Sequence, residues 1–467
     1  MPKKFHIHTK KAVMDFDYIF KFKITRGENC INCGKCTKVC IYEAHKRSKD
    51  DPRKMADPNT VVCRNCFRCI QECPRGALEK SIEKEFASVG GSYWKADNLL
   101  SLWKQAEDGA VPVSGAGYRG PFTGAGFDGM WTDMSEIVRP TRDGIHGREY
   151  INTGVTLGRK LNHLVFKDDG QLASAIPPTI DIPLPILFDI NDDDLSPVVK
   201  ETFLEAALEI GTFVIMPASD ITPALGKYQE AIIPALAEQD IDKYESLIKK
   251  ARLVSIDFNE KMLNGLPALM RKISKIGPAL TFIRVPAVKN VESTVAALAH
   301  AGAEIIHIVA DYRGEEINGA SGSKRLLRDI IRASHMKLVD DSIRDEVTLI
   351  ASGGISMAEQ VPKSMLCGAD LTAVDIPLMV AIGMRLYEQP QKMVVWPKDL
   401  DKVSPALLVQ RVINLIGAWH SQILEMMGAM GIREARRLRG ETGRAIFFEE
   451  IDRDTFQKLF KTKAEKW

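Results

Sequence analysis

Two cysteine runs constrain this chain more than any other feature. Cys30, Cys33, Cys36 and Cys40 form a C-x2-C-x2-C-x3-C run, and Cys63, Cys66, Cys69 and Cys73 repeat it with the same spacing. Three thiolates spaced two residues apart, with a fourth set slightly off, is a pattern for iron–sulfur ligation. A four-cysteine zinc site needs only two C-x2-C knuckles and has no use for a third cysteine two residues further on. A disulfide framework belongs to secreted chains, and the stretch from Met1 to Asn29 is not expected to act as a cleavable leader. The ninth cysteine, Cys367, stands alone in a helical pattern and reads as a small buried apolar residue.

The double run has the arrangement of a two-cluster bacterial ferredoxin, in which the fourth cysteine of each run ligates the other cluster. One [4Fe–4S] set is therefore expected from Cys30, Cys33, Cys36 and Cys73, and the other from Cys63, Cys66, Cys69 and Cys40. Pro74 follows the last cysteine of the second run, whereas Ile41 takes that place in the first. Such a chain carries electrons.

The 467 residues allow two or three domains, and 45% apolar with 27% charged residues is ordinary for a globular protein. The most apolar stretches, such as Ile182–Phe188 and Ile305–Ala310, are strand-sized, so no membrane span is expected. With thiols kept reduced, the expected location is the cytoplasm. A net charge of +2 offers no argument for nucleic acid. The first 55 residues hold 14 Lys and Arg against 6 Asp and Glu. These cations either offset the negative charge of thiolate-bound clusters or form a docking face for an acidic redox partner.

Lys3 to Asn29 reads as a basic arm with a strand at Tyr18–Ile24. From Phe86 to Pro178 the chain is glycine-rich and weakly periodic, a connector long enough to be functional or wrapped over a domain. It includes Ser114–Met130 and the charged stretch Glu136–Asn152 with His146, a lone histidine read as structural. Beyond Asp181 short apolar runs alternate with amphipathic ones. Strands are expected at Pro185–Ile190, Thr212–Pro217, Ala231–Pro234, Arg252–Phe258, Ala279–Pro286, Glu304–Ala310, Val347–Ser352 and Leu371–Ile376. Helices are expected at Pro197–Leu208, Leu263–Ile276 and Val291–Ala301. Eight such strands fit a (β/α)8 barrel, and a doubly wound open sheet has the same local signals. Pro234 is awkward in a central strand. The tail, Ser404–Leu438, is mostly helical, with Trp419, Met426 and Met427 as core packing.

Three stretches carry a likeness to a known family. They are YRGPFTGAGFDGMWTDMSEIVRPTRDGIHGREYI from Tyr118 to Ile151, LIASGGISMAEQVPKSMLCGAD from Leu349 to Asp370, and Met427-Gly428-Ala429-Met430-Gly431. The chain resembles the FMN-binding synthase domain of glutamate synthases in its ferredoxin-fused archaeal and anaerobe form, from about Cys30 to Arg439. The resemblance implies an α/β chain: a (β/α)8 barrel preceded by a ferredoxin domain and followed by a helical extension. It divides the chain into a basic arm (1–29), the two-cluster ferredoxin domain (30–85), a glycine-rich connector (86–180), the barrel (181–390) and a helical region (391–467). Ser352, Gly353 and Gly354 then fall at the end of strand seven, where the family holds the flavin phosphate. Two glycines there let backbone N–H groups approach an anion closely.

The chain departs from the family pattern around that site. Asp311-Tyr312-Arg313-Gly314 begins the loop after strand six in place of G-G-T-G-A, with Gly319-Ala320-Ser321 further on. Met216-Pro217-Ala218-Ser219-Asp220 replaces G-E-G-G after strand two, and Asn259-Glu260-Lys261 replaces a Lys-Pro-Gly loop after strand four. Arg284-Val285-Pro286 replaces a lysine-bearing motif, and Asp375 stands where a glycine should face the phosphate, unfavourable unless solvated or paired with Arg284. No cysteine follows Cys367, so the family's [3Fe–4S] motif is missing. Met1-Pro2 leaves no N-terminal cysteine nucleophile, so glutaminase activity is expected from another chain.

Two functions follow. The first is an iron–sulfur flavoprotein passing electrons between two [4Fe–4S] clusters and a barrel-bound FMN held by Ser352, Gly353, Gly354, Arg284 and Asp375, with a redox protein as partner. If glutamate synthesis is retained, hydride would reach the imine of 2-oxoglutarate, with ammonia from solution or a partner glutaminase. The second is a non-catalytic electron-transfer or scaffold subunit of a larger redox complex, whose barrel has lost FMN.

Overall fold

The computed structural model describes residues 5–14, 20–60, 62–111, 113–114, 117–118, 126–134, 151–161, 163–173, 175–190, 195–319, 324–387, 394–395, 400 and 403–460. His146, most of the stretch from Tyr118 to Ile151, and Ala320-Ser321 lie outside the described residues.

Eight parallel strands close into a barrel: Ile186–Asp189, Val214–Pro217, Ile232–Leu236, Leu253–Asp257, Leu280–Pro286, Ile305–Val309, Thr348–Ser352 and Leu371–Val374. Each pairs with its neighbour in chain order, and the last returns to the first with Thr372 beside Ile186. That pairing excludes the open sheet. All positions of the Ile232–Leu236, Thr348–Ser352 and Leu371–Val374 strands are buried, because side chains fill the barrel inside and helices cover it outside. Pro234 sits in the third strand opposite Met216, and pairing with the fourth strand begins only at Ala235 opposite Ser255. The missing N–H of Pro234 is thus not required by the fourth strand.

The helices Pro197–Ile210, Met262–Ile276, Val291–His300 and Leu327–Asp340 return the chain between strands. The first begins with Pro197 in its opening turn and stops at Gly211, whose φ of 81° is a left-handed cap. Among the described residues, no helix is long and apolar enough to cross a membrane.

Ahead of the barrel, Phe22–Arg26 pairs antiparallel with Leu78–Ile82, bringing Arg26 beside Leu78. Phe20 and Lys21 stand outside that strand, and Tyr18 and Ile19 lie outside the described residues. The glycine-rich connector also holds a helix that its composition conceals, Ala96–Asp108. Leu99, Leu102, Trp103 and Ala106 form its buried stripe, at the spacing an amphipathic helix requires. That stripe packs on the tail helix, Pro405–Ala429, and on the short helix Ile376–Ala381 that follows the last barrel strand.

One arginine ties these pieces together. Arg411, fully buried in the tail helix, donates from Nε to Ala381 O at 2.6 Å, from Nη1 to Ala12 O at 2.8 Å and from Nη2 to Trp103 O at 3.3 Å. Beside it Asn414 binds Lys10 at both backbone groups and donates to Ala106 O at 2.9 Å. Arg411→Met would take a donor from three carbonyls in the interior, and we expect it to cost roughly 3 kcal/mol of stability. Denaturant unfolding measures that loss, and limited proteolysis should cut the variant first in the freed N-terminal arm.

Candidate cluster sites and barrel mouth

The two cysteine runs are folded as near-copies. Asn32 and Asn65, the second residue after each leading cysteine, both take left-handed backbone with φ of 56° and 55°. Gly34 and Phe67, at φ of 74° and 58°, then open the short helices Lys35–Val39 and Arg68–Gln71. The left-handed turns curl each run so that its first three cysteines line one cavity. The fourth cysteine of each run lies apart. Ala44 N donates to Cys40 Sγ at 3.4 Å and Ala77 N donates to Cys73 Sγ at 3.3 Å, four residues on in each half.

Two cavities result. One is lined by Cys30, Cys33, Cys36 and Cys73, the other by Cys40, Cys63, Cys66 and Cys69. Each gathers three cysteines of one run and the fourth of the other, the crossed division that two clusters require. The donor chemistry fits. Burial opposes the Cys73 thiolate, yet N–H groups of Arg75, Ala77, Leu78 and Gly76 outweigh it and lower its pKa. Burial pushes the Cys69 thiol up to about 11, and the nearby Cys63 adds to the shift. Metal binding must remove that proton, which couples cluster uptake to folding. Cys367 lies apart with 3% exposure, its Sγ 3.7 Å from Met130 Sδ and its thiol pushed up to about 12 by burial.

At the carboxyl end of the barrel the strands bring together groups that the sequence scatters over nearly two hundred residues. Asp189 ends the first strand and accepts both guanidinium nitrogens of Arg284, at 3.2 and 3.1 Å. Arg284 stands in register with Asp257 on one side and His307 on the other. The His307 ring is fully buried, shares a 2.8 Å hydrogen bond between Nε2 and Ser352 Oγ, and leaves Nδ1 without a partner. Burial and Arg284 both hold His307 well below its ordinary pKa, so the ring is neutral. Burial raises the Asp189 and Asp257 carboxyls despite Arg284. Asp375 does not pair with Arg284; its Oδ1 accepts from Ile376 N at 2.6 Å, capping the helix behind it. Burial pushes its pKa up to about 6, with Asp189 adding to the shift.

Gly353 and Gly354 follow Ser352 with φ of 100° and 67°, backbone that only glycine adopts freely. A Cβ on Gly353 would meet Ala310 O at 2.6 Å, and one on Gly354 would meet Gly314 N at 2.4 Å. Packing against the loop after strand six therefore requires both glycines whatever the barrel holds, and substituting either would displace that loop. Gln360 Oε1 accepts from Ser356 N at 2.7 Å, which leaves Gly353–Ile355 as the segment free to face an anion. Consecutive N–H groups in such a turn are of the kind that suits a phosphate. Asp375, two residues past the Ser352–Ala373 pair on the same rim, opposes it only when ionised.

Strand-end polar residues in apolar runs were the signal that could have pointed to Asp189 and Asp257. Nothing in the sequence announces Tyr93 and Trp94. Tyr93 OH donates to Gly354 O, and Trp94 Nε1 donates to Tyr312 O at 2.9 Å, so this pair straps the connector onto the rim.

Protein prepared without oxygen should contain about eight iron and about eight acid-labile sulfide per chain. Zinc in place of iron, with little sulfide, would refute the two cluster sites. Cys367→Ser should leave both contents unchanged, as elemental analysis will show.

Residues 257–433 match the model of the conserved region in glutamate synthase, and residues 23–81 match that of the 4Fe-4S dicluster domain. The archaeal glutamate synthase [NADPH] of Archaeoglobus fulgidus is 25% identical over 479 residues, covering 89% of this chain and 91% of that one. The archaeal-type glutamate synthase [NADPH] of Dehalococcoides mccartyi is 25% identical over 484 residues, covering 90% and 94%. The chain thus carries a region matched by the glutamate synthase model and a segment matched by the dicluster model, and along about nine-tenths of its length it is similar to archaeal-type glutamate synthases.

Proposed function

We propose that the chain is an iron–sulfur flavoprotein oxidoreductase that passes electrons between its two cluster sites and an FMN at the barrel mouth. The observation that carries this reading is the direct bridge between the two. At its carboxyl end the Ala96–Asp108 helix meets the second cluster site, where Arg64 pairs with Glu107 at 3.0 Å and Lys104 lies near Cys63. Just before its amino end Tyr93 and Trp94 bond to the rim at Gly354 and Tyr312. The helix also packs on Ile376–Ala381, which starts beside Asp375.

The backbone of Ser352, Gly353 and Gly354 would hold the phosphate, with Arg284 and the neutral His307 below it. The flavin, when bound, supplies exchange of both single electrons and hydride. Arg284, already gripped by Asp189 at two points, anchors the polar layer and offsets the acids around it. For it to bind a substrate carboxylate such as that of 2-oxoglutarate, Asp189 would have to release it. A reducing compartment, the cytoplasm, suits the thiols. A one-electron redox protein is the partner this reading needs, and glutaminase chemistry would reside on a separate subunit.

The flavin is tested by absorbance of the purified chain reconstituted with FMN; absence of any bound flavin would leave an electron-transfer or scaffold role instead. Asp375 provides a second test with a definite sign. Its carboxyl is neutral below about pH 6 and anionic above, so it repels a phosphate only on the alkaline side. Asp375→Asn should bind FMN roughly tenfold more tightly than the natural chain at pH 8, with the ratio falling towards one at pH 5. Titration of flavin fluorescence at both pH values gives the ratio, and the comparison cancels the titration of the phosphate itself.

A further inference from the structure

The two cluster sites are near-copies in backbone but not in charge. Arg26, at the end of the first ferredoxin strand, points its guanidinium at the first site. Nη1 donates to Cys30 Sγ at 3.3 Å and to Cys36 Sγ at 3.9 Å, and Nη2 reaches Cys36 Sγ at 4.0 Å. A further bond from Nη2 to Ala56 O at 3.1 Å fixes the group in place. Burial works against its charge, and the bonds to Cys30 and Cys36 more than offset that. The equivalent position, four residues before the second run, is Asn59, an uncharged residue. Near the second site Arg64 pairs with Glu107, Lys104 has Glu107 and Asp108 beside it, and Arg68 lines the cavity without the sulfur contacts that Arg26 makes among the described residues.

Adding an electron makes a cluster more negative by one unit. A fixed cation hydrogen-bonded to the ligating sulfurs favours that reduced form and raises the potential. The bonds from Ala77 N to Cys73 and from Ala44 N to Cys40 match, and the further N–H groups of Arg75, Gly76 and Leu78 around Cys73 act in the same direction as Arg26.

We propose that Arg26 makes the Cys30–Cys33–Cys36–Cys73 site the higher-potential of the two, an inference that rests on both sites holding [4Fe–4S] clusters. A single electron from a one-electron protein carrier then settles on the Cys30–Cys33–Cys36–Cys73 site. The site against the Ala96–Asp108 helix fills second. Each site takes one electron, no bond forms or breaks, and the barrel is presented with a pair only when both are full.

The test is a redox titration of the intact chain under anaerobic conditions, poised with dithionite and followed by electron paramagnetic resonance. The natural chain should show two separate midpoints. Arg26→Met should lower the higher midpoint and leave the lower in place, with iron and sulfide unchanged. Arg26→Lys, which keeps the charge with fewer N–H donors, should fall between the two, and it decides the matter if Arg26→Met loses iron. Asn59→Arg should raise the lower midpoint. Full iron and sulfide with unmoved midpoints in the Arg26 variants, or movement of the lower midpoint alone, overturns the proposal. Lack of sulfide in the natural chain refutes the two-cluster reading instead.

Discussion

The guanidinium of Arg411 is the contact on which the working geometry depends. It holds three segments that are distant in sequence: the amino-terminal arm at Ala12, the connector helix at Trp103 and the helix behind the eighth barrel strand at Ala381. A guanidinium suits this task because its donors are fixed in one plane and its charge is permanent. Trp103 adds its ring face, 5.0 Å from the guanidinium carbon. The clamp acts beside Asn414 and the Tyr93 and Trp94 bonds in seating the connector helix. With these contacts, a rigid helix sets the separation of the cluster sites and the barrel mouth.

The barrel mouth shows how burial and charge shape a polar layer. Three carboxyls face one arginine and a neutral histidine, a set that could not stay fully ionised in a dry interior. The protein reconciles them by pairing Asp189 with Arg284 and by raising the pKa of Asp257 and Asp375. The layer is therefore less acidic at work than its composition suggests. Its charge is divided between one fixed ion pair and carboxyls whose ionisation burial opposes.

Much of this molecule was legible in its residues. Eight strands were placed from short Val-, Ile- and Leu-rich runs, because parallel strands buried on both faces leave that mark. Closure of the barrel was not legible, since an open sheet writes the same local pattern; resemblance to a family supplied it. The Ala96–Asp108 helix was lost among flanking glycines although its own apolar spacing is regular. The glycines at 353 and 354 were read as making room for a ligand, and the backbone of the loop after strand six occupies the space in which their side chains would stand. Pairings such as Arg284 with Asp189 are long-range choices among several available acids, and local pattern does not encode them. Arg26 was counted within a basic arm, where only distance to sulfur distinguishes it from its neighbours.

Cys33 and Cys66 are exposed, while Cys36 and Cys69 are buried. One corner of each site thus lies at the protein surface. Such a corner is where a protein carrier can come close enough for electron exchange, and it is equally where dissolved oxygen or peroxide reaches a ligating sulfur. Shielding both corners would lengthen the life of the centres in air and slow their contact with any partner. The chain leaves them open, so its service lifetime is set by the oxidants around it more than by the stability of its fold.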